Sequence, residues 1–134
     1  MKFSTRTTYG LRAMIRLAGS KDKKPMPLPS IAKAENISLG YLEGMFSNLK
    51  KGGLVKAGKG VKGGYRLGKP ANKITVFDIV KVMEGKMSLF HCLAEDGRVY
   101  CNAGCKCGAA LVLAKVQGSL KKTLKGIKLS DLVA

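Results

Sequence analysis

Between Ser30 and Leu67 the chain alternates helix starts, stops and glycines so closely that few folds accommodate it. Ser30 reads as an N-cap for a short helix, Ile31 to Glu35; Asn36 is a turn residue and Ser38 a second N-cap. The helix that follows, Leu39 to Lys51, carries Leu42, Met45, Phe46 and Leu49 as a buried stripe, and Gly52-Gly53 stops it. Short strand candidates, Leu54 to Lys56 and Tyr65 to Leu67, then flank the loop Gly58-Lys59-Gly60-Val61-Lys62-Gly63-Gly64. Two short helices around a tight turn, with the second polar on its outer face, form the helix-turn-helix pattern. A basic hairpin directly behind it is a wing.

The flanks fit a mostly α fold with a small β wing. Thr5 to Ala18 predicts a first helix with Tyr9, Ala13, Met14, Ile15, Leu17 and Ala18 inside and Arg6, Arg12 and Arg16 outside. Lys21 to Pro29, with three prolines, reads as a loop. Thr75 and Asp78 make a capping-box start for Val76 to Glu84, which Gly85 closes. Gly108 to Lys125 predicts a long helix with Leu111, Ala114, Leu120 and Leu124 on or near one face, and Ile127 to Val133 a docking arm. The expected division is a winged-helix DNA-binding domain over 1–85, a cysteine-rich loop over 86–107 and a dimerisation helix with its arm over 108–134. The longest apolar run, Ala109 to Ala114, is too short for a bilayer, and the polar, cationic start lacks a signal-peptide core. A cytoplasmic location is the expectation.

The formal charge of +17 is unevenly placed: residues 1–73 carry sixteen Lys or Arg against three acids, residues 74–134 nine against five. That imbalance attracts a polyanion and makes binding steeply salt-dependent. Opposite the core stripe of Leu39 to Lys51 lie Gly40, Glu43, Gly44 and Ser47, a nearly bare face that lets the backbone approach a groove. Glu43 either accepts from a cytosine amino group or repels phosphates, or else it faces solvent or pairs with Lys50 or Lys51. Ser38, Tyr41, Lys50 and Lys51 on this helix, and Lys59, Lys62, Gly63, Gly64 and Tyr65 on the wing, complete the candidate DNA contacts. No acid lies between Leu54 and Phe77.

The four cysteines, Cys92, Cys101, Cys105 and Cys107, are spaced C-x8-C-x3-C-x-C. In a reducing compartment such clustering points to metal or redox chemistry rather than structural disulfides. Glycine-rich irregular loops can wrap an iron–sulfur cluster. Structural zinc sites prefer two separated C-x2–4-C knuckles, and only Cys101-x3-Cys105 resembles one. A metal-free thiol switch is the third reading. Catalysis is disfavoured: His91 is the sole histidine, GKGVKGG lacks the spacing of a P-loop, and no C-x-x-C occurs.

The run ISLGYLEGMFSNLKKGGLVKAGKGVKGGYRLGKPANKITVFDIVKVMEG, the opening MKFSTRTTYGLRAM and the ending KGIKLSDL closely resemble the Rrf-two-type family of bacterial winged-helix regulators. That family includes the repressor of iron–sulfur cluster biogenesis and the nitric-oxide-sensing repressor. The resemblance implies a homodimer built through the long C-terminal helix, with two recognition helices on a palindromic operator. It also implies an iron–sulfur cluster, 2Fe-2S or 4Fe-4S, with zinc or no metal as the alternatives. By this resemblance Cys92, Cys101 and Cys107 match the family's three ligands. The fourth ligand departs from pattern. Ala110 stands where the cluster-biogenesis regulator has histidine, and Thr8 where the nitric-oxide sensor has an acid. Cys105 is the natural substitute and His91 the second choice. Gly40 and Gly44 replace polar residues, and Lys59 replaces a frequent arginine. An operator different from the better-known ones is therefore expected.

Overall fold

Helical periodicity and capping chemistry set most element boundaries in the computed structural model, which describes residues 3–20, 24–58, 63–85, 93–98 and 108–133. Helix α1 spans Thr5–Ala18, as its pattern predicts. Its buried face is rotated from the expected one: Thr7 and Gly10 are inside with Ala13, Met14 and Leu17, while Tyr9 and Ile15 are only half-buried. The reason is helix α4 (Val76–Glu84), which crosses α1 so closely that a Cβ on Gly10 would sit 2.6 Å from the Met83 sulfur.

Helix α2 (Leu28–Glu35) starts three residues before the expected Ile31. Pro27 is its N-cap and Pro29 lies in its first turn, where a fixed φ is preorganised and a missing N–H needs no partner. Ser30 therefore is not a cap; its own N–H donates to the Pro27 carbonyl at 3.1 Å. Asn36 takes the left-handed conformation (φ 55°) that ends α2. Ser38 then caps helix α3 (Leu39–Lys51), its hydroxyl accepting from the Tyr41 N–H at 3.3 Å. The four predicted core residues of α3, Leu42, Met45, Phe46 and Leu49, are all buried.

Strand β1 (Val55–Ala57), one residue later than expected, pairs antiparallel with β2 (Tyr65–Leu67), placing Lys56 opposite Arg66. The loop before α2 adds a third rail: Met26 and Tyr65 exchange N–H···O bonds of 2.8 and 2.9 Å. A short 3-10 turn, Ala71–Lys73, leads into α4, whose capping box between Thr75 and Asp78 is fully formed. Met14, Ile31, Phe46, Leu49 and Ile79 fill the centre where α1 to α4 and the wing base meet.

Helix α5 spans Gly108–Lys125, and a 3-10 turn, Leu129–Leu132, follows it. The turn docks on the winged helix: the Leu129 N–H donates to the Ile74 carbonyl and the Val76 N–H to the Ile127 carbonyl, each at 2.8 Å. Leu129 is completely buried in the same core. Leu124 packs beside Val76 and Val80, but Leu111 and Val112 are 68% and 60% exposed. The apolar stripe expected along α5 is therefore only partly covered within one chain. Among the described residues no helix is long and apolar enough to cross a membrane.

Candidate nucleic-acid interface

The outer face of α3 is bare by composition and open by structure. Gly40, Glu43, Gly44, Ser47, Lys50 and Lys51 are all exposed, and nothing lies within 4 Å of where a Cβ would stand at Gly40 or Gly44. Lys50 and Lys51 occupy the last turn, where cations are favourable with the helix dipole. Among the described residues no ion pair joins Glu43 to either lysine, so its carboxylate faces solvent. Tyr41 packs edge-on against Tyr9, ring centroids 6.0 Å apart, and stays 38% exposed beside this face.

The wing presents some side chains to solvent and packs others against the body. Lys56, Arg66, Lys69 and Lys73 are exposed, while Lys59 and Lys62 lie outside the described residues. Tyr65, a candidate DNA contact, is half-buried: its ring packs 4.9 Å from that of Phe46, while alternation along β2 sends Arg66 out. Gly64 is likewise a packing residue, since a Cβ there would overlap the backbone of Met26 and Pro27. Gly63 is half-buried next to it.

Two carboxylates fasten the helices to one another, and the sequence predicts neither pairing. Glu35 binds Arg12 at 2.9 Å and Arg16 at 2.6 Å, fastening α1 to α2 and engaging two of the three arginines of α1 within the chain. The Arg16 hydrogen bond, against some desolvation and with help from Arg12, holds the Glu35 carboxyl below its ordinary range. Glu84 accepts from the Ser4 N–H and hydroxyl at 2.7 Å and from the Thr7 hydroxyl. Burial alone would push Glu84 up, but those three bonds outweigh it and lower its pKa. The spacing of Arg12 and Arg16, one helical turn apart, was the available signal for the first clamp; the second joins residues nearly eighty positions apart and had none.

Cys92, Cys101, Cys105 and Cys107, with His91, lie outside the described residues, and among those described no three His, Cys, Asp or Glu gather as a metal site. The neighbouring stretch 93–98 is a tight turn held against α5, where the buried Gln117 donates to the carbonyl of Ala94 at 2.8 Å.

Comparison with known proteins agrees with this architecture. Residues 3–134 match the Rrf2 family model, described as an iron-dependent transcriptional regulator. The HTH-type transcriptional regulator IscR of Escherichia coli O1:K1 / APEC is 33% identical over 133 residues, covering 99% of this chain and 80% of the relative. The structure of CymR, the global cysteine regulator of B. subtilis, matches with a TM-score of 0.82 at 35% identity, covering 98% of this chain and 95% of that one. IscR of T. potens matches at 0.79 and 35% identity, covering 98% and 85%. An oxidized form of Staphylococcus aureus CymR matches at 0.76 and 29% identity, covering 96% and 93%. A winged helix-turn-helix with an open face on α3 and a match over nearly its whole length place the chain in the Rrf2 family of transcriptional regulators, not among enzymes.

Proposed function

We propose that the protein is a homodimeric transcriptional regulator that reads a palindromic operator with α3 and the wing, under the control of its cysteine segment. The observation that carries the DNA-reading part is the α3 face: two open glycines flanking a solvent-facing Glu43, with lysines at the helix end. Gly40 and Gly44 let the helix backbone sit deep in a major groove, and Glu43 discriminates by accepting from a cytosine or rejecting misplaced phosphates. Ser38, Tyr41, Ser47, Lys50, Lys51, Lys59 and Lys62 provide the positioning contacts. Dimerisation is supported by the exposed Leu111, Val112 and Val116 on α5.

The donor chemistry suits an iron–sulfur cluster: every cysteine of the chain falls between positions 92 and 107. Cys92, Cys101 and Cys107 would hold it, with Cys105 completing an all-thiolate shell and His91 as the second choice. Such a group supplies a redox- and ligand-sensitive centre in the connection between the winged helix and α5. A metal-free or zinc-bound protein governed by thiol oxidation or a protein partner is the second reading. Its support is the similarity to CymR, one of whose structures is an oxidized form.

Anaerobic purification with a visible spectrum and iron, sulfide and zinc analysis tests the two. The cluster reading expects colour, iron and sulfide, lost in Cys92→Ala, Cys101→Ala and Cys107→Ala. A colourless, iron-free protein that binds its operator normally leaves the second reading. Operator selection then tests α3: Glu43→Ala should alter base preference, and unchanged preference for the family's usual operator removes the role given to Glu43.

A further inference from the structure

Gln117 is, among the described residues of α5, the one fully buried polar side chain, at 2% exposure. Its carboxamide donates to the Ala94 carbonyl at 2.8 Å and reaches the Glu95 carbonyl at 3.4 Å. One turn along the same face, the Lys121 ammonium also donates to the Glu95 carbonyl. The acceptors belong to a turn that is well tied internally. Gly97 (φ 89°) donates to the Ala94 carbonyl at 3.0 Å, and the Ala94 N–H to the Arg98 carbonyl at 2.8 Å. Leu93 and Ala94 are themselves buried. In sequence this turn is strung between Cys92 and Cys101. Pulling the buried Gln117 carboxamide away from its carbonyl acceptors is costly, so the turn either moves with α5 or the clasp opens.

We propose that Gln117, assisted by Lys121, is the positioning residue that couples the cysteine segment to α5 and thereby to the spacing of the two recognition helices. The coupling rests on the reading above, in which the cysteines control operator binding. Leu93 follows Cys92 directly, so a rearrangement of the thiols pulls on the turn at once. The clasp passes that pull to the middle of α5, close to the exposed Leu111, Val112 and Val116 that face a second copy in the proposed dimer. A closed and an open clasp give the two discrete arrangements that coupling between distant sites requires.

The test uses the full-length dimer as wild type, Gln117→Met and the milder Lys121→Met. Each is prepared reduced and metal-free, and again after anaerobic reconstitution with iron and sulfide. Hydrogen exchange and affinity for an operator duplex selected with the wild type are measured on both forms. In Gln117→Met the Ala94 and Gly97 amides should exchange about tenfold faster, with α1 to α4 unchanged. The ratio of operator affinities between the two forms should fall about tenfold while the metal-free affinity holds. Lys121→Met should show the same effects in smaller measure, and it decides the matter where Gln117→Met does not fold. A folded variant that keeps the wild-type ratio, or unchanged exchange at Ala94, overturns the coupling alone. A wild-type ratio of one overturns the cysteine control itself, and the coupling with it.

Discussion

Glu84 ends α4 and also does the work of a cap on α1. Ser4 is the N-cap residue of α1, yet its side chain caps nothing; the Glu84 carboxylate takes its N–H and hydroxyl and the Thr7 hydroxyl instead. A negative charge there also complements the positive end of the α1 dipole. Glu84 and Glu35 both have folded pKa values lowered from 4.5, so their stabilisation is complete above that value. It is lost as the pH falls through the depressed folded values. Urea midpoints should therefore hold steady near neutrality and drop on acidification below pH 4.5. Glu84→Gln should cost about 1–2 kcal/mol at neutral pH and flatten the acid limb. Gly64, on the wing, also has a packing role. Gly64→Ala meets backbone rather than a yielding side chain and should lower stability by about 1–3 kcal/mol, read as a lower melting temperature. Its neighbour Tyr65 stands on the same basic wing. Only the pairing register assigns it to Phe46.

The elements were legible wherever a repeating apolar pattern met a cap. The bounds of α1, α3, α4 and α5 follow directly from such patterns, and the core stripe of α3 is the predicted one. The start of α2 was not legible, because Pro27 and Pro29 signal a loop unless the chain places them in a first helical turn. The buried face of α1 is not legible at Thr7 and Gly10, because neither carries an apolar side chain; α4 chooses that face by fitting against a residue without a side chain. On α3 the opposing demands of stability and function can be separated. Gly40→Ala and Gly44→Ala enter open space, so each should stabilise the fold by about 1 kcal/mol through helix propensity. If these glycines permit close groove approach, each should also weaken operator binding by about tenfold. Thermal melts and operator titrations at fixed salt check the two halves together.

At the scale of the molecule, one chain leaves α5 with its own side packed and another side apolar and exposed. Leu111→Asp lies on the exposed side, so it should leave the protomer folded while shifting the proposed dimer toward monomer in sedimentation. Operator affinity should then fall on the order of 100-fold as the second half-site is lost. The basic excess of the first 73 residues belongs to this scale too, since it sets the long-range field and the salt dependence of binding rather than any one contact. By itself the sequence determined the winged helix-turn-helix, the bare face of α3, the sign of the partner's charge and the grouping of the cysteines. Each of these is local: periodicity, capping and charge act over a few residues. The tertiary structure alone decided that Glu35 engages Arg12 and Arg16, that Glu84 caps the start of α1, that Leu129 completes the core, and that Gln117 holds the 93–98 turn. Those pairings join residues roughly 20 to 80 positions apart, and which polar groups meet at such separations is settled by how the helices pack, not by any pattern along the chain.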